Sequence, residues 1–361
     1  MFSDPPGPPN HENPNQERKP MMNSRRNFIR GIAAGVTAGF LPGGASGKEI
    51  SMTQPIPFPE IGVLSGKKLR ILNVNVPPMP ALASGVIHNG SEIGNLGIDS
   101  SLGLPDVLSF RRKFGLLLPA TNTSMEHELW SILFKNQGKD ALAGVGLHTS
   151  GISTPRPQLG TQAELEEYKR FFLSGLNAAV VQALLAQPQY LIMGMSLEHI
   201  LKGIDEIRGL MTNIEAQSGT SWATWHDAAP AALNKFGAKR IGLLTPFDKA
   251  GNENATRMFE DLGYQVVSSV GFACANALHI AHIPNSAKER AIRELLATKE
   301  NRLDAIVQCG TNMSLVDVSE KLEPTLGIPI IGINAATFWY ALRENGFASP
   351  LVGGGRLLRE F

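Results

Sequence analysis

The chain has 361 residues, with 33 Lys and Arg against 32 Asp and Glu, 43% hydrophobic residues and two cysteines. That length allows about two domains, each large enough for a proper core. A net charge of +1 gives no basic footprint for nucleic acid. Two cysteines form neither a disulfide framework nor a cysteine zinc site.

Residues 1–24 are polar and rich in Pro and Asn, a composition that buries little and reads as disordered. Ser24-Arg25-Arg26-Asn27-Phe28-Ile29-Arg30 follows, and then Gly31 to Leu41 without a charge. That stretch is about half the ~20 residues a membrane-spanning helix needs. Paired arginines ahead of a short, mildly apolar run predict a twin-arginine export signal. Cleavage near Gly43–Lys48 makes residues 1–47 leader and signal, and the remainder carries 28 basic and 29 acidic residues. A soluble periplasmic protein is expected, exported by the twin-arginine machinery and without stable membrane insertion after cleavage.

Residues 48–110 read as an extended N-terminal arm to which no chemistry is assigned. Within it, Arg70-Ile71-Leu72-Asn73-Val74-Asn75-Val76 alternates as a strand does, and Pro77, Pro78 and Pro80 end it. From residue 111 the pattern is regular. Lys113–Pro119 is an apolar run stopped by a proline, with a helical segment from Ser124, and Lys239–Pro246 repeats it with a helix from about Asn252. Tyr190–Gly194 is echoed by Ala305–Cys309, and Gly219–Gly237 by Gly327–Gly346. Between them, Thr161–Ala186 sets Leu165, Tyr168, Phe171, Phe172, Leu176 and Val180 at helical spacing.

Three echoes in one order predict a duplicated α/β unit. The first half is expected over 111–221, completed by 345–361, and the second over 222–344. Such alternation implies two pseudo-symmetric, flavodoxin-like or Rossmann-like domains with parallel sheets. Ligands bind outside the carboxyl ends of such strands. The inter-domain cleft is therefore expected among the loops at Pro119, Gly194, Pro246 and Cys309.

No G-x-G-x-x-G follows a strand and no P-loop occurs, so neither nucleotide reading applies. Gly353-Gly354-Gly355 is a turn, and His279 and His282 lack a carboxylate at matching spacing, so no metal and no cofactor is expected. His199, behind Glu198, reads as a surface or supporting residue. Cys309 ends an apolar strand before Gly310-Thr311-Asn312 and a helix from about Ser314. Backbone N–H groups and the positive helix end are expected to lower its pKa and favour thiolate. Cys274, in Val270–Ala275 with no turn behind it, reads as the buried core cysteine.

From about 111 to 359 the chain resembles the aspartate/glutamate racemase superfamily, in its maleate isomerase and arylmalonate decarboxylase branch. Pro119-Ala120-Thr121-Asn122-Thr123-Ser124-Met125-Glu126 is similar to the P-x-x-N-T-x-M-E run of maleate isomerases. Gly194-Met195-Ser196-Leu197 resembles the G-T-S-L of arylmalonate decarboxylases, Gln308-Cys309-Gly310 their S-C-G, and Gly355-Arg356-Leu357 their G-R-L. The resemblance implies a small carboxylate substrate and a cleft in which Cys309 is the proton donor. Ser196 and the N–H groups around Met195 and Gly310 would hold an anion, with Thr311 beside them.

Two-thiol racemases and isomerases carry a cysteine where this chain has Gly194. The glycine-plus-cysteine pattern matches the decarboxylases, which protonate an enediolate on one face. Met195 and Phe247 stand where those enzymes carry Thr and Tyr, removing two hydroxyl donors. Asn122 and Thr123 are candidate replacements as carboxylate binders, and helix capping is their other role. The leading expectation is a cofactor-independent lyase acting on a substituted malonate or dicarboxylate. A maleate-type or racemase-like isomerase and an exported, non-catalytic small-acid binder are the alternatives.

Overall fold

The computed structural model describes residues 58–72, 85–97, 106–138, 141–153 and 162–361. The expected leader, its twin-arginine motif and residues 48–57 lie outside them. Two short strands, β1 (Ile87–His88) and β2 (Ser91–Glu92), form a hairpin across Asn89-Gly90, both with positive φ. Asn-Gly is the pair that such a two-residue turn favours. The main body follows as β3 (Arg112–Pro119), α1 (Met125–Lys135), β4 (Val145–Ile152), α2 (Gln162–Leu185), β5 (Tyr190–Met193), α3 (Gly203–Ser218), β6 (Trp222–Ala223) and α4 (Trp225–Lys235). The second run is β7 (Arg240–Thr245), α5 (Lys249–Asp261), β8 (Gln265–Gly271), α6 (Ala277–Ile280), α7 (Asn285–Arg290), β9 (Ala305–Gln308), α8 (Val316–Leu326), β10 (Ile330–Gly332), α9 (Ile333–Glu344) and α10 (Gly355–Glu360).

The strands form two parallel four-stranded sheets, in the orders β4-β3-β5-β6 and β8-β7-β9-β10. The orders match, which is the expected duplication. β3, β5, β7 and β9 sit centrally and are apolar almost throughout, because helices cover both faces of a parallel sheet. Pro119 ends β3, having no N–H for the ladder. Among the described residues, no helix is long and apolar enough to cross a membrane.

Three expectations about the chain's organisation are corrected. Trp222 and Ala223 pair with Leu191 and Ile192, so the first sheet extends past residue 221. The C-terminal contribution to the first half starts with α9 and not at 345: Phe338 meets the Phe114 ring edge-on, centroids 6.4 Å apart. α4 in turn packs against β10, and α4 and α9, equivalent helices of the two halves, pack on one another. Each half thus lends its last helix to the other. α10 sits on α8 and α9, where Arg359 pairs with Glu320 at 2.7 Å.

The third correction concerns the arm. Arg70–Leu72 is not strand, and residues 73–76 lie outside the described ones. Arg70 does meet Ser221 through its main chain, accepting from Ser221 N–H at 2.8 Å and donating to Ser221 Oγ at 2.9 Å. With β6 only two residues long, little sheet edge is available for more. The Glu344 carboxylate clasps the arm by accepting from Leu64 N–H at 2.6 Å and Ser65 N–H at 2.9 Å. Arg112 lies over the Phe58 ring at 3.5 Å.

Candidate active site

The loops at the carboxyl ends of β3, β5, β7 and β9 meet, as the duplicated pattern requires. Cys309 follows β9 directly, its N–H donating to Leu244 O at 3.0 Å. Gly310 has φ +89°, and the Pro246 ring stands 2.5 Å from where a Cβ would be, so glycine alone fits there. Its N–H donates to Ser196 Oγ at 2.8 Å, which ties the β9 turn to the β5 turn. Thr311 Oγ1 donates to Gly194 O at 2.9 Å and accepts from Asn122 Nδ2 at 2.9 Å. Asn312 adds a clasp: its Oδ1 accepts from Thr123 N–H at 2.9 Å, and its Nδ2 donates to Thr121 O at 3.2 Å.

Asn122 takes the capping role. Its Oδ1 accepts from Ser124 and Met125 N–H at 3.0 and 3.1 Å, at the start of α1. Its amide nitrogen reaches across to Thr311. Pro119 O accepts from Asn122 N–H at 2.8 Å and closes the same turn, while Thr123 is exposed. Phe247, half-buried after β7, stacks on His199 with centroids 5.4 Å apart and planes at 23°. His199 Nδ1 lies 2.5 Å from Ser196 O, and burial pushes the imidazole below its usual pKa, so the ring is neutral and supports the β5 turn. His279 is on the exposed α6 and His282 is exposed just beyond it. Among the described residues no three His, Cys, Asp or Glu side chains are grouped to hold a metal ion.

Two expectations about Cys309 are overturned. Its thiol is pushed well up from the ordinary value, first by complete burial and then by the charge of Glu198, with Trp225 opposing. The helix end that was to lower it is occupied elsewhere. α8 begins at Val316, and the N–H groups of Leu315 and Val316 donate to Glu128 Oε1 at 2.7 and 2.8 Å. The positive end of α8 is thus spent on a buried carboxylate from α1. Cys274, expected in the core, is only half-buried, because β8 ends at Gly271 and the chain turns out, Cys274 N–H donating to Pro246 O at 2.9 Å.

Gly194 does not offer an open face to the thiol either. A Cβ there meets the Leu118 side chain, Leu117 O at 2.7 Å and Met125 Sδ at 3.1 Å. Its surroundings are filled by β3 and α1, so the position holds no space for a second thiol. Met195 is turned into the interior, where it lines a cavity of about 10 Å³ with Met193, Leu197, Glu198, Trp225 and His226.

Glu198 and Trp225 are neighbours of Cys309 that sequence reasoning passed over. Glu198 lies in the 3₁₀ turn Leu197–His199 after β5 and is 1% exposed. Burial pushes its carboxyl above the usual range, and Cys309 and Ser196 are the neighbours that oppose the rise. Its Oε1 has no hydrogen-bond partner. The indole N–H of Trp225, at the start of α4, has no hydrogen-bond partner and opposes the rise of the Cys309 thiol. A charged residue inside the apolar run Met195–Leu201 was the available signal.

Residues 177–358, half of the chain, match the family model described as arylmalonate decarboxylase. A maleate isomerase of Nocardia farcinica is 23% identical over 256 residues, covering 69% of this chain and 96% of that protein. Its solved structure, a mutant carrying a covalently bound succinylcysteine intermediate, superposes with a TM-score of 0.60 at 20% identity, covering 69% of this chain and 99% of that one. Arylmalonate decarboxylase itself gives 0.52 at 17% identity, covering 69% of this chain and 100% of that one. Both neighbours share the two-domain fold of paired parallel sheets. With half its length matched by the family model, the chain belongs to the arylmalonate decarboxylase family, a group of enzymes in the decarboxylase and isomerase branch of the Asp/Glu racemase superfamily.

Proposed function

We propose that the protein is a cofactor-independent lyase that removes CO2 from a small substituted malonate or related dicarboxylate, with Cys309 protonating the resulting enediolate. The observation that carries this reading is one buried thiol paired with a glycine whose surroundings are full. Racemisation and two-thiol isomerisation need an acid–base group on each face of the reacting carbon, whereas a one-sided protonation needs one. A thiol held above its ordinary pKa keeps its proton at neutral pH, which suits a donor facing a strongly basic carbanion. The Gly310 N–H donates to the Ser196 hydroxyl oxygen, and these two groups are the donors that would turn to an enediolate oxygen. Asn122 and Thr311 hold the two halves together at the site.

Maleate-type isomerisation is the second reading, favoured by the maleate isomerase that matches across the whole body of this chain. It would require Cys309 to add to a double bond as thiolate, and burial beside Glu198 opposes that. Incubation with malonates, maleate and amino acids in D2O separates the readings. Deuterium at the former carboxylated carbon with CO2 release supports the lyase, and cis–trans conversion supports the isomerase. No reaction with retained binding supports the small-acid binder. Cys309→Ala that turns over a true substrate at the wild-type rate sinks the catalytic assignment. We assign the twin-arginine leader to periplasmic export, which loss of periplasmic protein on replacing Arg25 and Arg26 by lysine tests.

A further inference from the structure

Cys309 is wholly buried, so a proton it gives away is not replaced by direct contact with bulk water. The foot of the site supplies another route. Glu198 and the Cys309 thiol bear on one another electrostatically, and Glu198 Oε1 and the Trp225 indole N–H are both buried without a hydrogen-bond partner. Both residues line the same cavity of about 10 Å³, together with Thr224 and His226. That is about the space one water needs, and buried water is what satisfies such orphaned groups. Beyond it, His226 Nε2 lies 3.4 Å from Thr224 Oγ1, which donates to Asp227 Oδ2 at 2.8 Å. The Asp227 side chain is 27% exposed, so this edge reaches solvent.

We propose that Glu198 supplies the proton that restores Cys309 and draws its own replacement from solvent through this cavity and the Thr224, His226 and Asp227 edge. The proposal rests on Cys309 being the proton donor of the reading above. When the enediolate carbon takes the proton, a C–H bond forms and the S–H bond breaks, leaving a thiolate. The Glu198 carboxylic acid then protonates the sulfur, and its carboxylate takes a proton from water. Each turnover consumes one solvent proton, which ends on the product carbon, and nothing is oxidised or reduced. The cluster fits this sequence because a carboxylate and a thiolate side by side in an apolar enclosure repel, so the pair carries at most one negative charge. Glu198 carries the electrostatic weight on the thiol. The other titratable groups on the packed elements are His199, held at Ser196 O, and His226 and Asp227 on the far side of the cavity. Glu198 acts through Cys309 and is a positioning and proton-supplying residue.

The test is a thiolate titration by absorbance near 240 nm, on the full chain carrying Cys274→Ser so that Cys309 is the single thiol. The wild-type midpoint is expected above the ordinary thiol value of about 8.5. Glu198→Gln keeps the shape and removes the charge, and is expected to lower the midpoint by about one pH unit or more. Trp225→Phe removes the N–H that favours thiolate and is expected to move it the other way. A wild-type midpoint below the ordinary value, or an unmoved midpoint in Glu198→Gln, overturns the pairing. These readouts need no substrate, so they stand even if the decarboxylase reading fails. With a malonate that the wild type turns over, Glu198→Gln is expected to retain a first turnover, for which the thiol already holds its proton. Later turnovers are expected to slow by roughly tenfold or more. Equal slowing of both phases marks a merely structural role and overturns the relay.

Discussion

Gly194 is the position at which this chain parts from two-thiol enzymes, and restoring a side chain there is expected to fail for a packing reason. In Gly194→Ala or Gly194→Cys, the new Cβ sits 2.7 Å from Leu117 O, where ordinary contact begins at 3.4 Å. That carbonyl is not free to retreat, because it accepts the Gly194 N–H at 2.7 Å and belongs to the central strand β3. Leu118 and Met125, the other neighbours, are 3% and 0% exposed. Overpacking of a filled core costs about 1–3 kcal/mol, and losing the Gly194–Leu117 hydrogen bond adds about 1 kcal/mol. For a body of this size, the sum of about 2–4 kcal/mol corresponds to a fall of about 4–16 °C in Tm. Thermal and urea unfolding of both variants against the wild type measures it, and a racemisation assay on Gly194→Cys asks whether a working second thiol has appeared. An unchanged midpoint with new two-sided proton exchange in Gly194→Cys would falsify the argument that the glycine is held by its surroundings.

Gly310→Ala combines a left-handed backbone with the Pro246 ring and is expected to cost more than about 2 kcal/mol. A urea midpoint within error of the wild type refutes that. Glu128→Ala strips the acceptor from Leu315 and Val316 N–H and from Asn334 Nδ2, all buried, and about 3–5 kcal/mol should be lost. A loss under about 1 kcal/mol in denaturant unfolding contradicts this inter-half anchor. Asn122→Ala removes the cap of α1 and the Thr311 contact, and about 1 kcal/mol is expected from the cap alone, read from the same unfolding curves. Burial raises the carboxyls of Glu128, Glu198 and Glu323 above the ordinary glutamate value of 4.5. The folded state therefore binds their protons more tightly than the unfolded one. Their contribution is fully present below pH 4.5 and is lost as pH rises through the folded values. Urea midpoints taken across that range should decline less steeply in Glu198→Gln than in the wild type, and parallel curves refute the assignment.

Much of the architecture was legible along the chain because it is written in local, repeated patterns. Apolar runs such as Phe114–Leu118 and Ala305–Val307 declare central parallel strands, and their recurrence in order declares two halves. The position of Cys309 at a strand end followed from the same pattern. The exchange of α4 and α9 did not, since nothing local states which sheet an amphipathic helix will cover. That choice belongs to contacts such as Phe338 on Phe114.

What only the tertiary structure decided is the electrostatic sign of the site. A strand end before a helix argued for thiolate, a local inference that holds when the helix N-terminus is free. Here Glu128, arriving from α1, occupies that terminus, while Glu198, from the other sheet, lies against the sulfur. Both carboxylates come from the opposite half of the duplicated body. The sequence by itself determined that one cysteine ends a central strand before a turn and that a glycine stands at its counterpart. Burial and the two distant carboxylates decided that this cysteine keeps its proton, because a buried charge is set by what the fold brings alongside it.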